Sequence, residues 1–164
     1  MHLIAIHSKW YTLVDNSMKE LGRIVYTDDS LTNAAIRTSI VMEIACIEHG
    51  HWEIRDEAKK VRGSIKIHRT NAMRIKQTGQ RKPYLFQKTS GWNTRFEVMG
   101  AENEELVGYV PRINWETQTH DLILHLNEDF AAICQPLLIL QGLHCTLVAL
   151  SMMNGGKVPI QLNV

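Results

Sequence analysis

The sequence predicts a mostly β domain in which antiparallel strands close around one apolar helix near the C-terminus. Three observations carry this prediction. They are a hairpin pattern that occurs three times, a set of further short alternating segments, and an eighteen-residue segment without a charged residue. The composition is that of a single globular domain over residues 1–164, with 45% of residues hydrophobic and 21% charged.

The repeated hairpin is two short strands joined by a turn. Each copy has an aromatic residue, an aliphatic residue two positions later, and a glycine in the return strand. The aromatic and glycine positions are Tyr11 with Gly22, Trp52 with Gly63, and Phe96 with Gly108. Because side chains alternate between the faces of a strand, the aromatic and aliphatic residues share one face that can be buried. We expect each glycine to permit a bulge or the close approach of a neighbouring element.

Further strands are expected between the hairpins, so that strands occupy residues 1–127. Residues 39–47 are apolar enough to be covered on both faces, and the segments 72–76, 84–87 and 121–126 are also strand candidates. Together with the hairpins they make at least nine strands. Many short strands separated by turn residues are typical of a barrel or a sandwich.

The apolar segment at residues 136–153 is predicted to be a helix. Pro136 suits the first helical position and Gly155 suits the position after the helix. A helix that is apolar on all sides must be enclosed by protein or by lipid. A membrane span needs about 20 predominantly apolar residues, and this segment is shorter and contains polar residues, so we expect burial in the domain and no transmembrane span. A barrel wide enough to hold it would enclose it and remove the open edges of the sheet.

Polar side chains on this helix need partners if the helix is buried. Gln141, His144 and Thr146 are expected to find hydrogen bonds inside the barrel, because an unsatisfied buried polar group costs about 1 to 3 kcal/mol. His144 and Cys145 are adjacent, so on a helix they do not face each other as a base and a nucleophile would. We interpret both as packing residues.

Charge is separated along the chain. Between Arg55 and Lys88 there are eleven basic and two acidic residues, a net charge of +9, whereas the rest of the chain has seven basic and fifteen acidic residues, a net charge of −8. Two interpretations are open. We call residues 55–88 the basic window. Its charges can lie on the solvated faces of strands and be neutralised by the acidic remainder of the chain, or they can form a surface that binds the phosphates of lipid headgroups or nucleic acid.

The number of cations on one face decides between these interpretations. Each Lys or Arg near an anionic membrane contributes about 1 kcal/mol, so about four or five on one face would suffice for binding. Fewer would not. The candidate residues for binding an anionic headgroup are Lys59, Lys60, Arg62, Arg74, Lys76, Arg81 and Lys82.

The three hairpins and the terminal helix together resemble the tubby C-terminal-like superfamily, which includes the LURP-one-related proteins and the phospholipid scramblases. The resemblance lies in residues 11–15, 52–56 and 96–98, in the three returning glycines and in the helix. It covers nearly the whole chain through pattern and order. Members of the superfamily are similar in forming a closed β-barrel of about twelve antiparallel strands wrapped around one central C-terminal helix, so the resemblance implies this fold.

The resemblance also implies a class of function. Tubby domains bind phosphoinositide headgroups and scramblase relatives are linked to membrane lipids, so a non-enzymatic domain that binds phospholipid headgroups or an anionic membrane surface is expected. The headgroup-binding residues of tubby domains and the calcium segment of scramblases have no matching positions here. The basic window is therefore a candidate on charge alone. The alternative is a protein-interaction module whose basic stretch contacts its own acidic half.

The sequence was searched for motifs of catalysis and metal binding, and it favours neither an enzyme nor a metalloprotein. Phosphate-loop, dinucleotide, serine-hydrolase, zinc-protease and paired CxxC patterns are missing from the sequence. The pairs His49 with His51 and His120 with His125 supply too few ligands for a zinc site unless they converge. We expect no enzyme activity, metal or cofactor, although a rim pocket gathering three of these four histidines would indicate a hydrolase.

The cysteines indicate the compartment. Cys46, Cys134 and Cys145 form an odd and scattered set, which favours a reducing environment over a disulfide framework. Residues 1–7 lack the basic and apolar regions of a signal peptide. We expect a cytoplasmic protein that can associate peripherally with a membrane.

Overall fold

Twelve strands and two helices make up the computed structural model, which describes residues 1–7, 9–69, 72–89, 91–114, 119–133 and 135–155. The strands are β1 (His2–His7), β2 (Trp10–Val14), β3 (Glu20–Tyr26), β4 (Asn33–Arg37), β5 (Val41–Glu48), β6 (His51–Asp56), β7 (Val61–Arg69), β8 (Ala72–Gln77), β9 (Tyr84–Lys88), β10 (Phe96–Met99), β11 (Glu105–Asn114) and β12 (Thr119–Leu126). The helices are α1 (Glu128–Ile133) and α2 (Pro136–Met153).

The strands form one closed antiparallel barrel. Each strand pairs with its neighbours in sequence, and β1 pairs with β12 to close the ring. Residues 138–150 of α2 are buried inside. The predicted fold class, a closed antiparallel barrel around one apolar helix, is therefore confirmed.

The two strands of each predicted hairpin are joined by the same type of turn. In each, a backbone N–H donates to the carbonyl four residues later at 2.8 to 3.0 Å: Asp15 to Lys19, Asp56 to Lys60, and Gly100 to Glu104. The residue before the acceptor has a positive φ, which is 65° at Met18, 62° at Lys59 and 63° at Asn103. A turn followed by a left-handed residue is a common three-residue hairpin loop. The repeat seen in the sequence is thus a structural repeat.

The return-strand glycines have two different roles. Gly22 and Gly63 face the interior, where a Cβ at Gly22 would lie 3.2 Å from a methyl group of α2 and one at Gly63 would lie 2.6 Å from a β8 carbonyl oxygen. Here the expected close approach is confirmed. Gly108 follows its turn by one residue more, so it faces outward beneath the ion pair of Arg95 and Glu105. The expected close approach occurs here too, but with the ends of two side chains on the outer face of the barrel.

Hydrogen bonds join α2 to the barrel at three levels. Tyr109 Oη donates to the carbonyl oxygen of Ile139 at 2.8 Å, and Gln77 Nε2 donates to Gln141 Oε1 at 2.9 Å. Farther along, Tyr26 Oη lies 3.0 Å from His144 Nδ1. A fourth bond stays within α2, where Thr146 Oγ1 donates to the carbonyl of Gly142 at 2.9 Å. Gln141, His144 and Thr146 therefore each have a hydrogen-bond partner for one side-chain atom, and to this extent the expectation is confirmed.

Helix α2 is long and apolar enough to cross a membrane, but 72% of this segment is buried inside the protein. Its surroundings are the inward side chains of the barrel, among them Trp52, Phe86, Phe96 and Tyr109. Of the two environments that can satisfy an all-apolar helix, protein is the one found here.

Two details differ from the sequence prediction. Residues 39–47 were expected to be covered on both faces, but β5 alternates, with Met42, Ile44 and Cys46 buried and the residues between them partly exposed. The barrel has a solvent face here because no described element packs outside this strand. Strands β1 and β4 were not predicted, and β4 has only one large apolar side chain, Ile36, among its inward residues.

Candidate functional site

One sector of the barrel has basic side chains and no acidic ones of its own. Residues 58–96 contain eleven Lys and Arg residues and no Asp or Glu. They form β7, β8, β9 and the flanking turns. Carboxylates within the described residues therefore reach this sector only from neighbouring strands.

Two of the seven predicted headgroup ligands are used in ion pairs. Lys59 Nζ lies 2.8 Å from Glu43 Oε2, and Arg62 Nε lies 2.7 Å from Asp56 Oδ2. The hydrogen bond from Arg62 lowers the pKa of Asp56, so this carboxylate stays charged and neutralises its partner. Lys59 and Arg62 contribute little free positive charge.

The other five predicted residues are exposed and make no ion pair with any described residue. We call them the basic surface, and they are Lys60, Arg74, Lys76, Arg81 and Lys82.

The basic surface lies on β8, which pairs with β7, and in the turns 57–60 and 78–83. Arg74 and Lys76 alternate with the buried Met73 and Ile75 of β8, so they point outward, about 7 Å apart along the strand. The turns 57–60 and 78–83 are neighbours, since Thr78 donates its backbone N–H to the carbonyl of Arg62 at 2.9 Å. The five cations therefore lie on one side of the barrel, with Lys60, Lys76, Arg81 and Lys82 near one end of β8 and Arg74 farther along this strand.

The basic surface continues onto the end of the barrel where α2 begins. We call this end the proximal rim, formed by the turns 15–19, 38–40, 57–60, 78–83 and 100–104, and the opposite end the distal rim, which includes 27–32 and 49–50. Lys60, Arg81 and Lys82 belong to proximal turns. Lys76 is one residue from the proximal end of β8.

Four large aliphatic side chains are exposed on the same rim. The exposed fraction is 63% at Met18, 54% at Ile40, 38% at Val41 and 43% at Val61. We call these four residues the aliphatic tips. In chain order around the barrel, the turns with Met18 and Ile40 are followed by the turns of the basic surface. The turn 100–104, with Glu102 and Glu104, comes after them. The proximal rim therefore changes from aliphatic to basic to acidic.

A cleft of about 830 Å³ opens on the proximal rim between the turns 38–40 and 57–60. Ile40, Val41 and Leu137 give it apolar walls, and Asp56 and Glu57 place carboxylates at its side. The carboxylates make the cleft itself a poor seat for a phosphate, because like charges repel. Anion binding would occur beside the cleft, on the basic surface.

Of the four histidines considered for a metal or hydrolase site, the three with described side chains do not gather at one place. His51 Nδ1 lies 3.0 Å from Glu48 Oε1 at the distal rim, near His49 in the turn 49–50, and His125 is exposed on β12. The side chain of His120 lies outside the described residues. Among the side chains that are described, no three His, Cys, Asp or Glu residues gather in a way that could hold a metal ion.

The interior holds a second group of titratable side chains. Burial lowers the pKa of His144 to about 3 and raises the pKa of the Cys145 thiol well above its usual range. His144 stacks against Tyr26 and meets the edge of Trp52, with ring centroids 5.8 and 5.2 Å away. A neutral imidazole and a protonated thiol at this depth are packing groups, as expected from the sequence.

Sequence reasoning missed the aliphatic tips. The available signal was a large apolar residue in a predicted turn, as at Met18 after Asn16 and Ser17 and at Ile40 after Ser39. Ile40 was instead assigned to a strand buried on both faces.

No protein-family model, curated protein or solved structure matches the chain. The site is therefore interpreted from its own residues.

Proposed function

We propose that the protein binds anionic membranes, with the basic surface in contact with phospholipid headgroups. The observation that carries the proposal is the cluster of five exposed cations without an ion-pair partner among the described residues. At about 1 kcal/mol for each cation, the cluster supplies about 5 kcal/mol, which corresponds to an apparent dissociation constant near 10⁻⁴ M lipid. This strength suits reversible, peripheral association.

Binding of this kind depends on ionic strength. Exposed charges are screened over about 10 Å at about 0.1 M salt, so attraction to the membrane weakens as salt is added. We expect retention on phosphatidylserine or phosphoinositide vesicles at low ionic strength, less retention at physiological ionic strength, and none on phosphatidylcholine alone. Equal retention on neutral and anionic vesicles at low salt would contradict the proposal.

A matched pair of variants tests the position of the site. Arg81→Gln with Lys82→Gln removes two charges from the basic surface, and Lys9→Gln with Arg112→Gln removes two charges elsewhere. The first pair should weaken co-sedimentation with phosphatidylserine vesicles about 30-fold, since about 2 kcal/mol is lost. The second should have little effect. Equal losses would indicate a response to net charge without a defined surface.

Membership of the tubby C-terminal-like superfamily is also a proposal. It is supported by the order of the strands and by the burial of α2 inside the barrel. The same resemblance supports a lipid ligand. Co-purification of a protein partner, together with no vesicle binding, would favour the alternative of a protein-interaction module.

A further inference from the structure

We infer that the aliphatic tips insert into the boundary between headgroups and acyl chains, so that the barrel stands on the membrane with its proximal rim down. The inference rests on the proposed binding of anionic membranes and adds to it a contact surface and an orientation. It concerns Met18, Ile40, Val41 and Val61, which the charge pattern alone does not involve.

The tips occupy places where a soluble protein usually has polar or small residues. Met18 takes a φ of 65°, a left-handed conformation that glycine and asparagine adopt at least cost, yet its side chain is 63% exposed. Ile40 is 54% exposed in a turn whose other residues are Thr38 and Ser39. Neither residue gains much from packing in the barrel, and both would gain from an apolar environment outside it.

The tips and the basic surface are contiguous, as an interfacial membrane contact requires. Val61 directly follows Lys60, and Thr78 Oγ1 donates to the Val61 carbonyl at 3.4 Å, which ties this tip to the turn that carries Arg81 and Lys82. Peripheral membrane contacts combine apolar side chains about 5 to 10 Å below the headgroups with cations at headgroup level. The acidic turn 100–104 follows the basic turns, so a tilt toward the tips lifts Glu102 and Glu104 away from the anionic lipids.

The described part of the distal rim exposes fewer large apolar side chains than the proximal rim. They are Trp92 and Met153, which lie on separate elements, and the turn 27–32 carries Asp28 and Asp29. An anionic bilayer would repel these carboxylates. The four aliphatic tips favour the proximal rim as the contact, and the charge complementarity of the adjoining basic surface favours an anionic lipid bilayer as the partner.

Environment-sensitive labels test the orientation directly. Met18→Cys and Ile40→Cys, each labelled with a nitrobenzoxadiazole fluorophore in a Cys134→Ser background, should show a blue shift and brighter emission on phosphatidylserine vesicles. Cys46 and Cys145 are buried and should not be labelled. Asp29→Cys, exposed on the distal rim, is the control and should not change.

Binding of serine variants separates this inference from the proposed function. Met18→Ser and Ile40→Ser should each weaken partitioning to phosphatidylserine vesicles about tenfold, which is about 1.4 kcal/mol. Met153→Ser, an exposed methionine of the distal rim, is the matched control and should partition as the wild type.

Each remaining outcome has a definite meaning. If the wild-type protein does not bind phosphatidylserine vesicles, the proposed function and this inference both fail. If it binds with the expected salt dependence while the serine variants bind equally well and the labels do not shift, only insertion is overturned. If the serine variants instead abolish a dimer seen by native mass spectrometry, the tips contact a second copy of the chain and insertion is again overturned.

Discussion

Gly142 of α2 is the most sensitive point in the contact between helix and barrel. A Cβ added there would lie 2.7 Å from Tyr109 Cζ and 2.9 Å from Cε2, with the phenolic oxygen closer still. Tyr109 is fully buried and donates to the Ile139 carbonyl at 2.8 Å, so its ring cannot swing into solvent. Gly142→Ala must therefore displace either the ring or the helix.

Two effects of opposite sign act in Gly142→Ala. Alanine stabilises a helix interior by about 1 kcal/mol relative to glycine. Overpacking costs about 1 to 3 kcal/mol, and loss of the Tyr109 hydrogen bond in a buried site costs about 1 to 3 kcal/mol. The clash wins, and we expect a net destabilisation of about 1 to 5 kcal/mol.

Urea unfolding followed by tryptophan fluorescence measures this change. Tyr109→Phe removes the nearest clashing atom, so it should cost less in the Gly142→Ala background than in the wild type. If Gly142→Ala raises the free energy of unfolding by about 1 kcal/mol, as at an exposed helical site, the packing of α2 against β11 is wrong.

Three further predictions concern the interior. Burial lowers the pKa of the His144 imidazole from its usual 6.5 to about 3 in the folded protein, so between these pH values the unfolded state binds more protons. The free energy of unfolding should therefore fall as the pH drops from 6.5 toward 3. His144→Gln should flatten this fall between pH 6.5 and 5, as measured by urea titrations. Gly63→Ala should lower the midpoint of unfolding more than Gly108→Ala, because the first meets a backbone carbonyl and the second meets the flexible end of an arginine; equal effects would contradict the two roles. In a Cys134→Ser background, Ellman's reagent should react with Cys46 and Cys145 only after unfolding, and fast reaction in native buffer would show that the core opens.

Periodicity was sufficient to predict the barrel. Alternation located the three hairpins because each has a large aromatic residue facing the core, namely Tyr11, Trp52 and Phe96. It failed at β4, whose inward residues are Ala34 and Ile36, since small side chains give a weak pattern. It also could not show that Gly108 faces outward, because one additional residue after the turn reverses the face of a strand residue.

The candidate surface depends on pairing across strands, which the sequence does not specify. Lys59 and Glu43 are 16 residues apart and meet only because β5 and β6 are paired in one register. Counting charges therefore gave seven candidate ligands where the structure leaves five without an ion-pair partner among the described residues. The aliphatic tips were missed for the same kind of reason, because exposure at a turn depends on what packs beside it.

Hydrogen exchange of the protein on phosphatidylserine vesicles, read by mass spectrometry, tests most directly whether an intact barrel binds the membrane through its proximal rim. We expect peptides from residues 138–150 to exchange slowest both in solution and on vesicles, and peptides from 38–40, 57–60 and 78–83 to gain protection on vesicles. Faster exchange of the barrel strands on vesicles, with α2 leaving the barrel for the bilayer, would contradict it, and so would added protection confined to the distal rim.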